Sequence, residues 1–239
     1  MATTIGFIGL GNIGAPMCRR LIEAGYEVHA FDLDEAKLGE AVDHGAAAAQ
    51  SAAVCAGKVD VLLTSLPRPD HVEAVMRGAG ALKSMRPGSI WVDLTTNRKE
   101  LVAELAAEAP EGVGVVDSPV TGAVDGARNG RLTLFAGGKA EHLKQVTPIL
   151  ENLGTVITCG GLGTGNVVKL VPTSCGSSPP RSVKASPLAC ATASNWTCCG
   201  QRSSSRSVTP SSRATTRRQS SPDTTTPHSA WVCASRTFA

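Results

Sequence analysis

The chain has 239 residues, 42% hydrophobic and 18% charged, with a formal net charge of +3. These averages hide a break near residue 171: residues 1–171 carry 15 Lys and Arg against 19 Asp and Glu, whereas residues 172–239 carry 8 basic residues, one acid (Asp223), 26 Ser and Thr, one Leu (Leu188) and no Ile. The second stretch has too little aliphatic surface to offset its chain entropy, which leaves one core-building domain in the first 171 residues; no apolar run reaches the roughly 18 residues of a transmembrane helix, and Met1–Leu10 has no basic region that would make it a secretory leader.

Thr3–Ile8 is a short apolar run closed by glycine, the pattern of a buried parallel strand. Ile13–Ala24 has apolar residues at helical spacing and stops at Gly25; Glu27–Phe31 is a second strand, and Asp34–His44 a helix stopped by Gly45. Val59–Thr64 is a strand ended by Pro67 and Pro69, and Asp70–Met76 one or two helical turns. Ser89–Leu94 is a strand; Asn97–Ala109 is an amphipathic helix with Asn97 as cap and Glu100 at capping-box spacing. Val113–Val116 and Leu132–Ala136 are strands, Glu141–Leu150 a helix and Thr155–Thr158 the last strand. Strand and helix alternate throughout, so an α/β fold with a doubly wound parallel sheet is expected. Gly163 and Gly165 then open a helix that Pro172 cuts short. The expected organisation is 1–161 as a nucleotide-binding domain, 162–171 as the start of a further helix, and 172–239 as a Ser/Thr/Arg-rich tail without a core.

Three segments carry candidate chemistry. Gly9-Leu10-Gly11-Asn12-Ile13-Gly14 lies between the first strand and the first helix. Gly9 permits the tight turn, Gly11 lets backbone approach a pyrophosphate, and Gly14 lets the helix pack on the sheet, with the helix start favouring the anion. Asp32, at the end of the second strand, has the spacing of the acid that takes a ribose 2′-OH. It would repel a 2′-phosphate, and no Arg occupies 33–36, so NAD is expected over NADP. Asp117 to Gly130 is either a plain glycine-rich surface loop or a ligand loop at a strand's carboxyl end, with small residues exposing backbone N–H groups and Thr121 adding a hydroxyl. Lys169 lies a turn inside the glycine-opened helix between Val168 and Leu170; a lysine on a helix is usually a solvated charge, but partial desolvation would make this one a proton donor or acceptor.

Four blocks in order, Gly6 to Met17, Leu66-Pro67 with Asp93-Leu94-Thr95-Thr96, Asp117 to Gly130, and Gly163 to Lys169, make residues 3–171 resemble the β-hydroxyacid dehydrogenase family. The resemblance implies an NAD-dependent oxidoreductase that reversibly oxidises a 3-hydroxyisobutyrate-like 3-hydroxy acid to its semialdehyde. It implies cofactor contacts from the glycine turn, Asp32, Leu66, Pro67 and Thr95, a substrate carboxylate held by Thr121, Gly122 and Ala123, and Lys169 as the catalytic residue. It also implies an all-helical second domain, expected to be missing from the residues after 171, and a homo-oligomer. Arg131 departs from the pattern, where a small hydroxyl residue is usual. The other reading is a non-catalytic dinucleotide-binding module. The acidic first segment argues against nucleic acid as a partner, and its scattered cysteines (Cys18, Cys55, Cys159) read as reduced thiols of a cytoplasmic protein.

The family pattern continues after Lys169 with an Asn four residues on, where this chain has Thr173. A shifted codon frame restores it: Pro172 to Gly176 can be decoded as Asn-Gln-Leu-Trp, while Trp196-Thr197 and Trp231-Val232 are forced to Asp and Gly. The decoding favours a frameshifted segment over a genuine basic tail. Cys198-Cys199 then reads as an accident of frame, since no His or second Cys pair stands at zinc spacing.

Overall fold

The computed structural model describes residues 3–171; the tail, its expected lack of a core and its shifted frame lie outside the described residues. Strand β1 (Thr4–Ile8) leads through the glycine turn to α1 (Gly14–Glu23), then β2 (Glu27–Phe31), α2 (Glu35–Asp43), β3 (Ala47–Ala48), α3 (Ala52–Gly57) and β4 (Val61–Thr64). Next come α4 (Pro69–Glu73), which runs on as a π-helical turn over Ala74–Gly78, α5 (Ala81–Ser84), β5 (Ile90–Asp93) and α6 (Lys99–Glu108). The remainder is β6 (Gly114–Asp117), β7 (Val120–Thr121), α7 (Ala123–Arg128), β8 (Leu132–Gly138), α8 (Ala140–Leu150), β9 (Gly154–Gly160) and α9 (Thr164–Leu170).

The sheet runs β3-β2-β1-β4-β5-β6-β8-β7, with β9 paired to β8. From β3 to β6 every pairing is parallel, as expected of a doubly wound sheet. The far end differs: β8 is antiparallel to both β6 and β7. Between β6 and β8 the chain forms the two-residue β7 and the six-residue α7.

Alternation along the central strands divides the core between the two faces. Leu63, Ile90 and Val92 pack with Met17 and Leu21 of α1 and with Leu143 and Val146 of α8. Leu62, Trp91 and Val115 face the other way, onto Cys55 of α3, Leu82 of α5 and Leu101 and Leu105 of α6. Helices α3 and α5, and α7 inside the glycine-rich segment, are additions to the sequence reading; at six, four and six residues they are too short to show helical periodicity.

One expectation is overturned. Asn97 does not cap α6: the helix begins at Lys99 behind Arg98, whose side chain makes no cap bond. The Asn97 amide nitrogen donates instead to Asp93 Oδ2 (3.0 Å), and its Oδ1 accepts from Arg98 N (2.8 Å). Asp93, four residues earlier at the end of β5, wins the side chain because it is buried and needs donors.

Candidate active site at the carboxyl ends of the strands

The sheet changes winding direction between β1 and β4, where open α/β folds place their ligand crevice. Gly9 turns there with φ +96°, and a Cβ on it would meet Ser65 O at 2.3 Å. A Cβ on Gly14 would lie 1.9 Å from Gly9 O, so the first turn of α1 sits directly on the turn backbone. Gly11 has nothing within 4 Å of its absent side chain, leaving a face open to a ligand. The three glycines thus divide as the fingerprint requires, two closing on protein and one facing out. Asn12 is exposed and Ile13 packs partly against the core.

A groove of about 280 Å³ opens beside this turn, lined by Gly9, Gly11, Asp32, Lys37, Leu66 and Pro67 among others. The Asp32 carboxylate accepts from Leu10 N (2.5 Å) and Asp34 N (2.9 Å), which fixes it at the groove wall and ties β2 to the glycine turn. Lys37 is a groove residue that sequence reasoning missed, one position beyond the 33–36 stretch that holds no Arg; its ammonium pairs with Asp34 at 3.1 Å, which holds its pKa above the ordinary lysine range. Thr95 lies under the next strand end rather than in the open: it is buried, and its hydroxyl accepts from Leu66 N (3.0 Å), so it shapes the Leu66-Pro67 corner. An outward-facing Gly11 in a strand–turn–helix, with an acid at the adjacent strand end, fits a dinucleotide whose pyrophosphate sits at the turn and whose ribose sits by Asp32.

The second half of the site stands at the ends of β5 and β6. Lys169 is half-buried on α9, and Nζ donates to Thr96 Oγ1 (2.6 Å) and Val120 O (2.6 Å); burial pulls its pKa below the ordinary lysine value. Val120 begins the short strand leading into Thr121, Gly122 and Ala123, all three exposed. Gly122 has φ +135° and Ala123 φ +53°, so two successive residues hold unusual backbone conformations next to the lysine's acceptor. The sequence read this segment as a loop; it is a two-residue strand and the start of α7.

Beneath the lysine is a buried polar network, missed from sequence because most of its bonds cross long stretches of chain. Asp93 and Asp117 are the last residues of β5 and β6 and are register partners. Asp93 accepts from Thr64 Oγ1, Thr95 N and Asn97 Nδ2, each at 3.0 Å, and Thr64 in turn accepts from Trp91 Nε1 (2.9 Å). Asp117 accepts from Gly163 N (2.6 Å), Asn166 N (2.8 Å) and Asn166 Nδ2 (3.1 Å). Asn166 Oδ1 takes Asn97 N (2.7 Å), which joins the two halves. Burial pushes Asp93 up to about 6 against the pull of its donors, and pushes Asp117 up as well. Away from the site, Cys18 and Cys55 are buried, which pushes both thiols up to about 12 and keeps them unreactive. Among the described residues no cluster of His, Cys, Asp and Glu is suited to a metal, and no helix is long and apolar enough to cross a membrane.

The chain is similar to known dehydrogenases in sequence and fold. A 3-hydroxyisobutyrate dehydrogenase of Pseudomonas aeruginosa is 37% identical over 171 residues, covering 70% of this chain and 57% of its own length. Among solved structures, Mycobacterium tuberculosis 3-hydroxyisobutyrate dehydrogenase with L-serine superposes with a TM-score of 0.67 at 35% identity, covering 71% of this chain and 58% of that one. Psf3, in complex with NADP+ and 2-OPP, does so with a TM-score of 0.65 at 30% identity, over 70% of this chain and 60% of its own. The chain therefore spans a little under three fifths of the length of the Pseudomonas relative. Residues 4–161 match the NAD binding domain of 6-phosphogluconate dehydrogenase, and the chain belongs to that family, which the β-hydroxyacid dehydrogenases share.

Proposed function

We propose that this chain is the cofactor-binding and proton-handling part of an NAD-dependent dehydrogenase acting on a small 3-hydroxy acid. The observation that carries the proposal is Lys169, a half-buried ammonium held at the carboxyl ends of the strands beside the Thr121 to Ala123 turn. The nicotinamide cofactor supplies the hydride acceptor of such an oxidation. Lys169 as the free amine accepts the substrate hydroxyl proton, and as the ammonium returns it in reduction. Desolvation favours the amine, which suits it to the first task. Thr121, Gly122 and Ala123 offer a hydroxyl and backbone N–H groups to the substrate carboxylate, and Leu66 and Pro67 form the wall on the nicotinamide side, with Thr95 buried behind them holding the corner in place. Asp32 supports NAD over NADP; the NADP+ held by one relative and the cationic Lys37 in the groove make this preference the first thing to measure.

The substrate belongs to the class spanned by 3-hydroxyisobutyrate and L-serine, both 3-hydroxy acids, which the names of two relatives carry. A homo-oligomer in a reducing cytoplasm completes the reading. The test is NADH formation with both acids, in this chain and in Lys169→Ala. Turnover that survives the substitution would refute the role of the lysine. A second reading is a dinucleotide-binding module without turnover. NADH binding with no turnover on any 3-hydroxy acid would select it. The shifted-frame reading of residues 172–239 is tested by sequencing the gene across codons 170–175, and by assaying the restored chain beside this one.

A further inference from the structure

We propose that Asp117 is a positioning residue for Lys169, holding the start of α9 from the end of β6, with Asn166 extending the hold to Asn97 and Asp93. The inference rests on the reading of Lys169 as the proton-carrying group, and its test needs no turnover.

Helix α9 has seven residues and opens at Gly163, which has φ +84° and no side chain to cap it. A helix this short is marginal alone, and its first N–H groups have no intrahelical partners. The Asp117 carboxylate meets two of these donors, Gly163 N on one oxygen and Asn166 N on the other. The cap thus comes from a strand residue 46 to 49 positions earlier. Two glycines let the helix start close on the carboxylate. A Cβ on Gly165 would lie 1.9 Å from Phe135 O and 2.9 Å from Asp117 Oδ2, and one on Gly137 would lie 2.6 Å from Asp117 Oδ1.

Asp117 is fully buried and makes no ion pair among the described residues, so these N–H groups are what offsets its charge. An amide at this position would turn an N–H toward donors on one side. Asn166 is also fully buried; it gives its side-chain nitrogen to Asp117 and takes Asn97 N on its oxygen. Lys169 follows Asn166 by three residues, one turn along the same helix. Its two acceptors flank the same network: Thr96 immediately precedes Asn97, and Val120 lies three residues after Asp117. The ammonium and both groups that hold it are therefore referred to the paired ends of β5 and β6. A carboxylate that only closed the core would have no reason to gather the lysine helix in this way.

The experiment labels the full chain with lysine carrying 13C at Cε, assigns Lys169 by its loss in Lys169→Ala, and follows its pH titration in Asp117→Asn and Asn166→Ala. NADH binding serves as the fold check, since the glycine turn and Asp32 lie on other strands. The expected result is a Lys169 midpoint that rises toward the ordinary ammonium value in Asp117→Asn, and by less in Asn166→Ala, with NADH binding retained. A titration unchanged in folded Asp117→Asn would overturn the proposal. If both variants fail to fold, amide exchange in the parent decides. Gly163 and Asn166 should exchange roughly tenfold to hundredfold more slowly than the exposed amides nearby, the change that one hydrogen bond to a charged group carries. Unprotected amides there would overturn the proposal as well.

Discussion

Gly11 and Gly14 stand three residues apart in one turn, and adding the same methyl group to each should have opposite consequences. In Gly14→Ala the new carbon would lie 1.9 Å from Gly9 O and 3.0 Å from Gly9 C, both backbone atoms that cannot swing aside. Helix α1 must shift, at a cost of about 2 kcal/mol or more, as in other overpacked sites. In Gly11→Ala the carbon meets nothing within 4 Å, and Gly11 is not among the positive-φ glycines. Stability should stay within about 1 kcal/mol of the parent, with any small gain coming from a stiffer unfolded chain. The methyl would nevertheless occupy the face where backbone approaches a pyrophosphate. Losing one close, charge-assisted contact costs about 1.5–3 kcal/mol, or roughly tenfold to hundredfold in Kd. Urea unfolding and fluorescence titration with NADH separate the two effects. Gly11→Ala should unfold like the parent and bind NADH weakly, while Gly14→Ala should lose stability first. A Gly11→Ala protein binding NADH within about twofold of the parent would refute the placement of the pyrophosphate at this turn.

Asp32→Ala should narrow the NADH-over-NADPH preference by about tenfold, about 1.4 kcal/mol, by removing both an acceptor and a repulsive charge; tighter NADPH binding by the parent would contradict that role. If Lys169 carries the proton, oxidation should rise and reduction fall as pH passes its lowered midpoint, because the amine fraction grows with pH. Lys169→Ala should flatten both limbs and cost roughly 10²–10⁴-fold in rate, and a variant that kept the rising limb would exclude the lysine. Asp93 should make stability depend on pH in the opposite sense from a salt-bridged acid. Its folded value of about 6 lies above the ordinary 3.8, so its contribution is fully present below about pH 4 and is lost as pH rises through about 6. Two units correspond to about 3 kcal/mol, which Asp93→Asn should remove from the difference between urea curves at pH 4 and pH 7. Parallel curves for parent and variant would show that burial does not perturb Asp93.

The parts of this site that could be read from sequence are those whose partners are close in the chain. The glycine turn needs only the strand before it and the helix after it, with backbone closing on Gly9 and Gly14 and open space at Gly11. Asn97 shows the limit of such reading. The capping-box pattern with Glu100 is a local signal, yet the side chain goes to Asp93, four residues back and buried in a way no local pattern marks, and the backbone N–H goes to Asn166, 69 residues away. Asp117 and Asn166 stood inside the recognised blocks without a role for the same reason: nothing local distinguishes an acid that solvates itself from one that caps a helix arriving 46 residues later. One signal was available. Strands β4, β5 and β6 are buried along their whole length, and they end in Thr64, Asp93 and Asp117. A buried apolar strand that finishes on a carboxylate must bring donors to it, because an unsolvated charge costs too much to leave unmet. Two such strand ends in adjacent register require a converging set of N–H groups, and the start of α9 supplies them to Asp117 while Thr95 N and Asn97 Nδ2 supply them to Asp93. The need to satisfy two buried acids thus draws the lysine helix to the carboxyl edge of the sheet, the edge that also carries the glycine turn.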